Sequence, residues 1–382
     1  MSKPLENKIL RRDKAIASLG LKAQTGTLKR RGSRPGLGQN NSDEAAMRLA
    51  LCEARKAVGQ TSPNPAVGAV LMIDGAVAAK GHHIRAGAEH AEVACLRTFK
   101  GKVPRNAVLY VTLEPCSTAG RTGACTDAIL KAGVRQVVIG ALDPNPKHAG
   151  RGLEILRRAG LKVRSGILEE ACSRLNEAYN KWIVTRRPFV VAKCGMSLDG
   201  RLSLLPGDGR WITSAASRRH AQQSRAEVDA ILVGAETVRT DNPRLTVRGV
   251  QGAKQPWRIV LSKSGSLPQR AHLFTDRFAA RTVIHQGGTL ASVLGELGEQ
   301  EITSVLIEGG GEILGRALDE GVVDKVQIYL GPVFTGGPVV AFGGLGAGAT
   351  TEALRLTRVR YESIGPDICV VAYPTAGRAA TE

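Results

Sequence analysis

The chain is 382 residues long, more than one hydrophobic core ordinarily serves, so two domains are expected. Its 43% hydrophobic and 23% charged residues fit a soluble globular protein, and no run approaches the ~18 consecutive apolar residues of a membrane helix. Seven scattered cysteines argue against a secreted disulfide framework, and a net charge of +19 suits anionic partners without by itself indicating nucleic-acid reading.

Residues 1–42 carry ten Lys/Arg against Glu6 and Asp13, a net of +8, and lack an apolar period. They read as a basic, disordered tail; an organelle-targeting role stays open, but the apolar core of a secretory signal is missing. Order is expected from Ser42 and Asp43, plausible N-caps for a helix whose stripe is Met47, Ala50, Leu51, Ala54 and Val58. A strand over 67–73, a tight turn at Asp74 and Gly75, and a returning strand over 76–80 follow. Helix (90–99), strand (107–113), helix (123–132), strand (134–139), helix (152–159) and strand (161–165) then alternate. This is the pattern of a three-layer α/β domain with a mixed sheet, over 43–170.

A connecting helix over 169–184 ends at Arg186, Arg187 and Pro188, giving a linker at 171–187. A second α/β pattern fills 188–375, with strands at 189–194, 230–234, 258–261, 282–285, 304–307 and 325–330. Helices fit at 214–227, 290–297 and 312–320. Residues 376–382 form a short tail.

The first chemical constellation is His90, Glu92, Cys116 and Cys125. One imidazole and two thiolates make a zinc set that leaves the fourth tetrahedral position to water. Glu92, two residues after a ligand, is placed to move protons rather than to coordinate. His-x-Glu followed by Pro-Cys and a second cysteine is the zinc-deaminase signature, here with eight residues between the cysteines. A structural zinc site, or two buried thiols beside a helix-capping histidine, is the plainer alternative. His82 and His83 read as surface or supporting residues, since a fourth protein ligand would close the site.

The surrounding segments narrow this further. Ser62-Pro63-Asn64-Pro65, His90-Ala91-Glu92-Val93, Glu114-Pro115-Cys116-Ser117, Gly120-Arg121-Thr122 and Asp143-Pro144-Asn145-Pro146 resemble the bifunctional deaminase/reductases of riboflavin biosynthesis. In the second half Lys193-Cys194-Gly195, Trp211-Ile212-Thr213-Ser214, Asp241-Asn242-Pro243 and Glu308-Gly309-Gly310-Gly311 are similar to the same family. The resemblance covers about residues 43 to 374 and implies a cytidine-deaminase-like three-layer domain followed by a dihydrofolate-reductase-like α/β domain. It implies two reactions as well. The first is zinc-dependent removal of the 2-amino group from a phosphoribosylated diaminopyrimidinone. The second is reduction of the ribosyl unit to ribityl with NADPH.

By the same resemblance Asn64, Thr118 and Arg121 contact the pyrimidine substrate; Asn64 as a turn-capping residue before Pro65 is an equal reading. Arg225, Leu245, Arg248 and Glu308 contact the reductase substrate. Gly195, Trp211, Thr237, Asp241, Gly310, Gly311, Glu312, Ile313, Leu314 and Gly315 contact NADPH, although Trp211 alone would read as core. The chain departs from the family at Thr118, usually His, at Gly123 and Ala124, usually Pro-Pro, and at Gly209 and Lys263, each usually Ser. Thr118 and Gly209 keep open a related pyrimidine as substrate. The charge keeps open a nucleic-acid-acting deaminase, against which stand only 4% aromatics for base stacking. The expected partners are a small molecule and, from the family, other copies of the chain through the reductase domain. Neither specific nucleic acid nor membrane is expected, and the location would be cytoplasmic.

Overall fold

The computed structural model describes residues 37–118, 123–202 and 211–375. Helix α1 (Leu37–Arg55) starts before the cap signal at Ser42 and Asp43. Asp43 is no cap: its fully buried carboxylate accepts hydrogen bonds from Tyr110, at 2.7 Å, and from Arg164, fastening the helix to the sheet. β1 (Gly68–Ile73) and β2 (Ala76–His82) are joined at Asp74 and Gly75, whose φ of 49° and 78° give the type I′ turn that matches strand twist.

α2 (Ala91–Thr98), β3 (Val108–Leu113), α3 (Cys125–Lys131), β4 (Gln136–Ala141), α4 (Arg151–Arg158) and β5 (Lys162–Ser165) complete the first unit of structure. The sheet order is β2-β1-β3-β4-β5, with β1 antiparallel to both neighbours and β3, β4 and β5 parallel. Leu71, Leu109 and Ile139 lie fully buried in its core. The parallel strands direct their C-terminal ends toward the crevice where α2 and α3 begin, the usual place for a ligand in such sheets.

The single connecting helix expected over 169–184 is in fact two, α5 (Glu169–Leu175) and α6 (Glu177–Thr185). Asn176 parts them because its buried amide accepts from the Ala66 N–H at 2.8 Å and donates to the Ala66 carbonyl at 3.0 Å. α6 then meets the second half of the chain: Trp182 donates its indole N–H to the Gly298 carbonyl at 2.8 Å, and Lys181 pairs with Asp324 at 2.7 Å.

The second sheet contains β6 (Phe189–Ser197), β7 (Ala230–Gly234), β8 (Trp257–Ser262), β9 (Thr282–Gln286), β10 (Ser304–Ile307), β11 (Lys325–Gly331), β12 (Leu356–Ile364) and β13 (Asp367–Pro374). Its order is β12-β13-β11-β6-β10-β7-β8-β9, parallel from β11 to β9 and antiparallel at β13 and β12. The helices are α7 (Ala215–Ala226), α8 (Ala235–Asp241), α9 (His272–Thr275), α10 (Leu290–Glu299) and α11 (Gly311–Asp319). Apolar clusters pack on the sheet, with Leu314 and Leu306 among their fully buried members. α8, α9, β12 and β13 had no sequence expectation. β12 is exposed from Leu356 to Ser363, so it has no buried face to produce alternation. No helix among the described residues is long and apolar enough to cross a membrane.

Candidate active sites

His90 precedes α2, Cys116 follows β3 and Cys125 opens α3, so three separate elements converge. The His90 ring caps no helical N–H; its Nδ1 instead lies 3.1 Å from Cys125 Sγ and 3.5 Å from Cys116 Sγ. All three ligand atoms fall within 4.8 Å of one another. Zinc bonds of ~2.0–2.3 Å hold neighbouring tetrahedral ligands about 3–4 Å apart, so the set fits the ion and leaves one position open. The first-turn N–H of Cys125 donates to Cys116 Sγ at 3.3 Å. The Cys125 thiol hydrogen bond, helped by His90, holds Cys116 down to about 4, while that bond and burial push Cys125 up.

Glu92 lies in the first turn of α2 and is 3% exposed. Burial pushes its carboxyl up to about 7, against the pull of His90. A dication at the triad counters that rise. A carboxyl that changes protonation easily near neutrality is suited to carrying protons.

His83, read from sequence as a surface or supporting residue, is 2% exposed and meets the His90 ring edge-on at 5.2 Å. Its Nδ1 is 3.0 Å from the Glu89 carbonyl, which only accepts, so Nδ1 carries the proton. Nε2 then accepts from Asn64 Nδ2 at 3.1 Å, orienting the Asn64 amide and leaving Oδ1 for another partner. Burial holds the His83 pKa below its ordinary value, consistent with the neutral ring this chain of bonds requires. The loop before Asn64 is tied to the other half of the protein, where the Ser62 hydroxyl donates to Asp229 at 2.6 Å. Thr118 is exposed beside the cysteines; Arg121 and Gly209 lie outside the described residues.

In the second half Arg225, at the end of α7, and Glu308, just after β10, bind each other. Arg225 Nε donates to Glu308 Oε1 at 3.0 Å, and Nη2 donates to Oε2 at 2.5 Å. Burial pushes Glu308 up, but Arg225 and Lys193 outweigh it and leave the carboxyl at about 2. Lys193, whose Nζ is 4.0 Å from Glu308, was not singled out as a site residue; its signals were its place in a family-like segment and a cation within an apolar strand. Burial lowers the Arg248 pKa, as do Arg225 and Arg244, marking a field of positive charge suited to phosphate. Leu245 is 3% exposed and has a φ of 48°, so its side chain packs into the core beside the arginines.

The expected cofactor residues divide. Thr237 Oγ1 accepts from the Gly310 N–H at 3.2 Å, and no side chain caps α11. Its first N–H groups are therefore suited to phosphate oxygens. Glu312 is exposed, with Lys263 at 3.9 Å, and Ile313 packs on Gly234 and Gly309. Gly311 and Gly315 have another reason to be glycine. A Cβ would lie 1.9 Å from the Val340 carbonyl oxygen at the first and 1.6 Å from that of Gly343 at the second. Leu314 is wholly buried and its N–H closes on the Gly310 carbonyl, so it offers nothing to a ligand. Gly195 faces Thr213, Trp211 lies under the Arg218 guanidinium at 4.8 Å, and Asp241 ends α8.

Residues 40–141 match the model of the cytidine and deoxycytidylate deaminase zinc-binding region, and residues 188–370 match the RibD C-terminal domain. A riboflavin biosynthesis protein RibD from Aquifex aeolicus is 38% identical over 86% of this chain and 97% of its own length. The Acinetobacter baumannii RibD structure aligns with a TM-score of 0.81 at 33% identity, over 88% of this chain and 99% of that one. A Thermotoga maritima structure aligns with a TM-score of 0.80, also at 33% identity, over 88% of this chain and all of that one. It is described as a diaminohydroxyphosphoribosylaminopyrimidine deaminase/5-amino-6-(5-phosphoribosylamino)uracil reductase. Fold and site together define a bifunctional enzyme, a zinc-dependent deaminase joined to an NADPH-dependent reductase. The chain belongs to the RibD family of riboflavin biosynthesis enzymes.

Proposed function

We propose that the first domain deaminates 2,5-diamino-6-(phosphoribosylamino)pyrimidin-4-one at C2 and that the second reduces the ribosyl unit of the product to ribityl. The observation that carries the reading is the buried Glu92 carboxyl beside three metal-ligand atoms. His90, Cys116 and Cys125 hold the zinc, which supplies an activated water when bound. Glu92 takes a proton from the attacking water, delivers it to the ring nitrogen, and passes the next to the departing amine. Asn64, oriented by His83, holds the polar edge of the pyrimidine, and Thr118 and Arg121 also contact the substrate.

In the reductase, NADPH supplies the hydride. Arg225 and Arg248 bind the substrate phosphate with Leu245 beside them, and Glu308 fixes Arg225 for that task. Gly310 and the start of α11, with Gly195, Trp211, Thr237 and Asp241, receive the cofactor. The domains are bounded at 43–170 and 188–375 with a linker at 171–187, the first gaining the turn of α1 ahead of residue 43. We also infer a cytoplasmic enzyme without a specific nucleic-acid partner, assembled with other copies through the reductase domain. Exposed Phe334, Leu345 and Tyr361 there support the assembly.

Metal removal tests the deaminase reading. The protein should contain about one zinc per chain. Stripping it with a chelator should abolish ammonia release and leave NADPH oxidation on the separately deaminated intermediate intact. Zinc alone should restore the first step; undiminished ammonia release from zinc-free protein would overturn the reading.

A further inference from the structure

The deaminase crevice has a wall to whose residues the sequence reading gave no role of their own. Glu114, 3% exposed and two residues before Cys116, accepts the N–H groups of Asp143 at 3.2 Å, Gly150 at 2.9 Å and Gly152 at 2.8 Å. Within the loop so held, Asp143 Oδ1 accepts from the Asn145 N–H at 2.9 Å and from the Tyr179 hydroxyl at 3.1 Å. The His148 N–H closes on the Asn145 carbonyl at 2.8 Å. A buried carboxylate with three backbone donors and a turn closed on itself give this loop little freedom to move.

The loop brings His148 Nδ1 to 3.4 Å from the hydroxyl of Ser117, the residue between Cys116 and Thr118. The ring thus stands over the turn that leads from a metal ligand to the mouth of the crevice. It is half-buried, whereas Glu92 is buried. One ring nitrogen is engaged by Ser117, and the other has no hydrogen-bond partner among the described residues. Thr118, exposed on the same turn, offers only a short hydroxyl.

We propose that His148 is a substrate-contacting, specificity-determining residue of the deaminase, binding the phosphoribosyl arm of the pyrimidine through Nε2 while Ser117 holds Nδ1. This rests on the deaminase substrate proposed above. The reacting end of the substrate goes inward to His90, Cys116, Cys125 and Glu92, so the phosphorylated arm emerges past residue 118. An imidazole held there reaches what the Thr118 hydroxyl does not.

The test is steady-state deamination by full-length His148→Ala, His148→Gln and His148→Ala/Thr118→His, with zinc content measured in each. The expected result for His148→Ala is a KM raised about tenfold, the effect of one hydrogen bond to a charged group, with kcat within about twofold and zinc retained. The same variant should lose much less on the substrate lacking the phosphate. His148→Gln should recover part of the loss, and Thr118→His should recover most of it by supplying an imidazole from the adjoining turn. A KM for His148→Ala within about twofold of the parent overturns the proposal, as does a loss that tracks zinc content or ignores the phosphate. If the parent protein releases no ammonia from this substrate, the functional reading itself falls and takes the proposal with it.

Discussion

Replacing Glu92 with Gln is expected to lower ammonia release roughly a thousandfold, in the middle of the ~10²–10⁴ range for a positioned proton carrier. Glutamine keeps the shape of the side chain and can donate a hydrogen bond, but it cannot accept a proton from water and deliver it to nitrogen. Glu92 is not among the three metal-ligand atoms, so zinc content should stay near that of the parent protein. Nor should folding suffer, because burial disfavours the charged carboxylate and an uncharged amide of the same shape suits that place. NADPH oxidation on the deaminated intermediate should be unchanged, since Arg225 and Glu308 lie in the other half of the chain, on α7 and just after β10. Ammonia release, zinc content and NADPH oxidation on one preparation check all of this; retained deamination would remove Glu92 from its role.

The second large effect is expected from Arg225→Met. The guanidinium has two bonds to Glu308 and donates to the Thr246 carbonyl at 3.1 Å. Methionine fills similar space but leaves Glu308, 7% exposed, without its principal counter-charge. Breaking a buried pair this way costs about 3–5 kcal/mol, so the reductase half should unfold at clearly lower denaturant as well as lose substrate binding. The sign of the pH dependence follows from the depressed Glu308 pKa. Its pairing contributes stability above the ordinary glutamate range, and that contribution fades as the pH falls toward about 2. The gap between parent and variant should therefore be full at neutral pH and narrow on acidification. Denaturant unfolding of both proteins at several pH values measures it; a gap that widens in acid would show that another interaction dominates.

The zinc and proton-shuttle residues were legible because their signature is short-range. His90 and Glu92 share a helix start, and Pro115 and Cys116 follow a strand whose apolar run is unmistakable. Most strands and helices could be found for the same reason, from local period and turn residues. What escaped depends on pairing across the chain. His83 gains its role from Asn64 and Glu89, Asn176 breaks a helix to serve Ala66, and Arg225 finds Glu308 83 residues away. Gly311 and Gly315 read as a phosphate cradle; that the chain itself also presses against both is a second reason for glycine that no local pattern encodes.

The account stands on one chain performing deamination and then reduction, and a single time course tests that order. The full-length protein is given the diaminopyrimidinone phosphoriboside with NADPH, and ammonia and NADPH are followed together. Ammonia should appear first, at a rate independent of NADPH, with cofactor oxidation following after a lag to an equimolar end point. NADPH consumed ahead of ammonia, or cofactor oxidation that continues in the Glu92→Gln protein without added deaminated intermediate, would contradict the account.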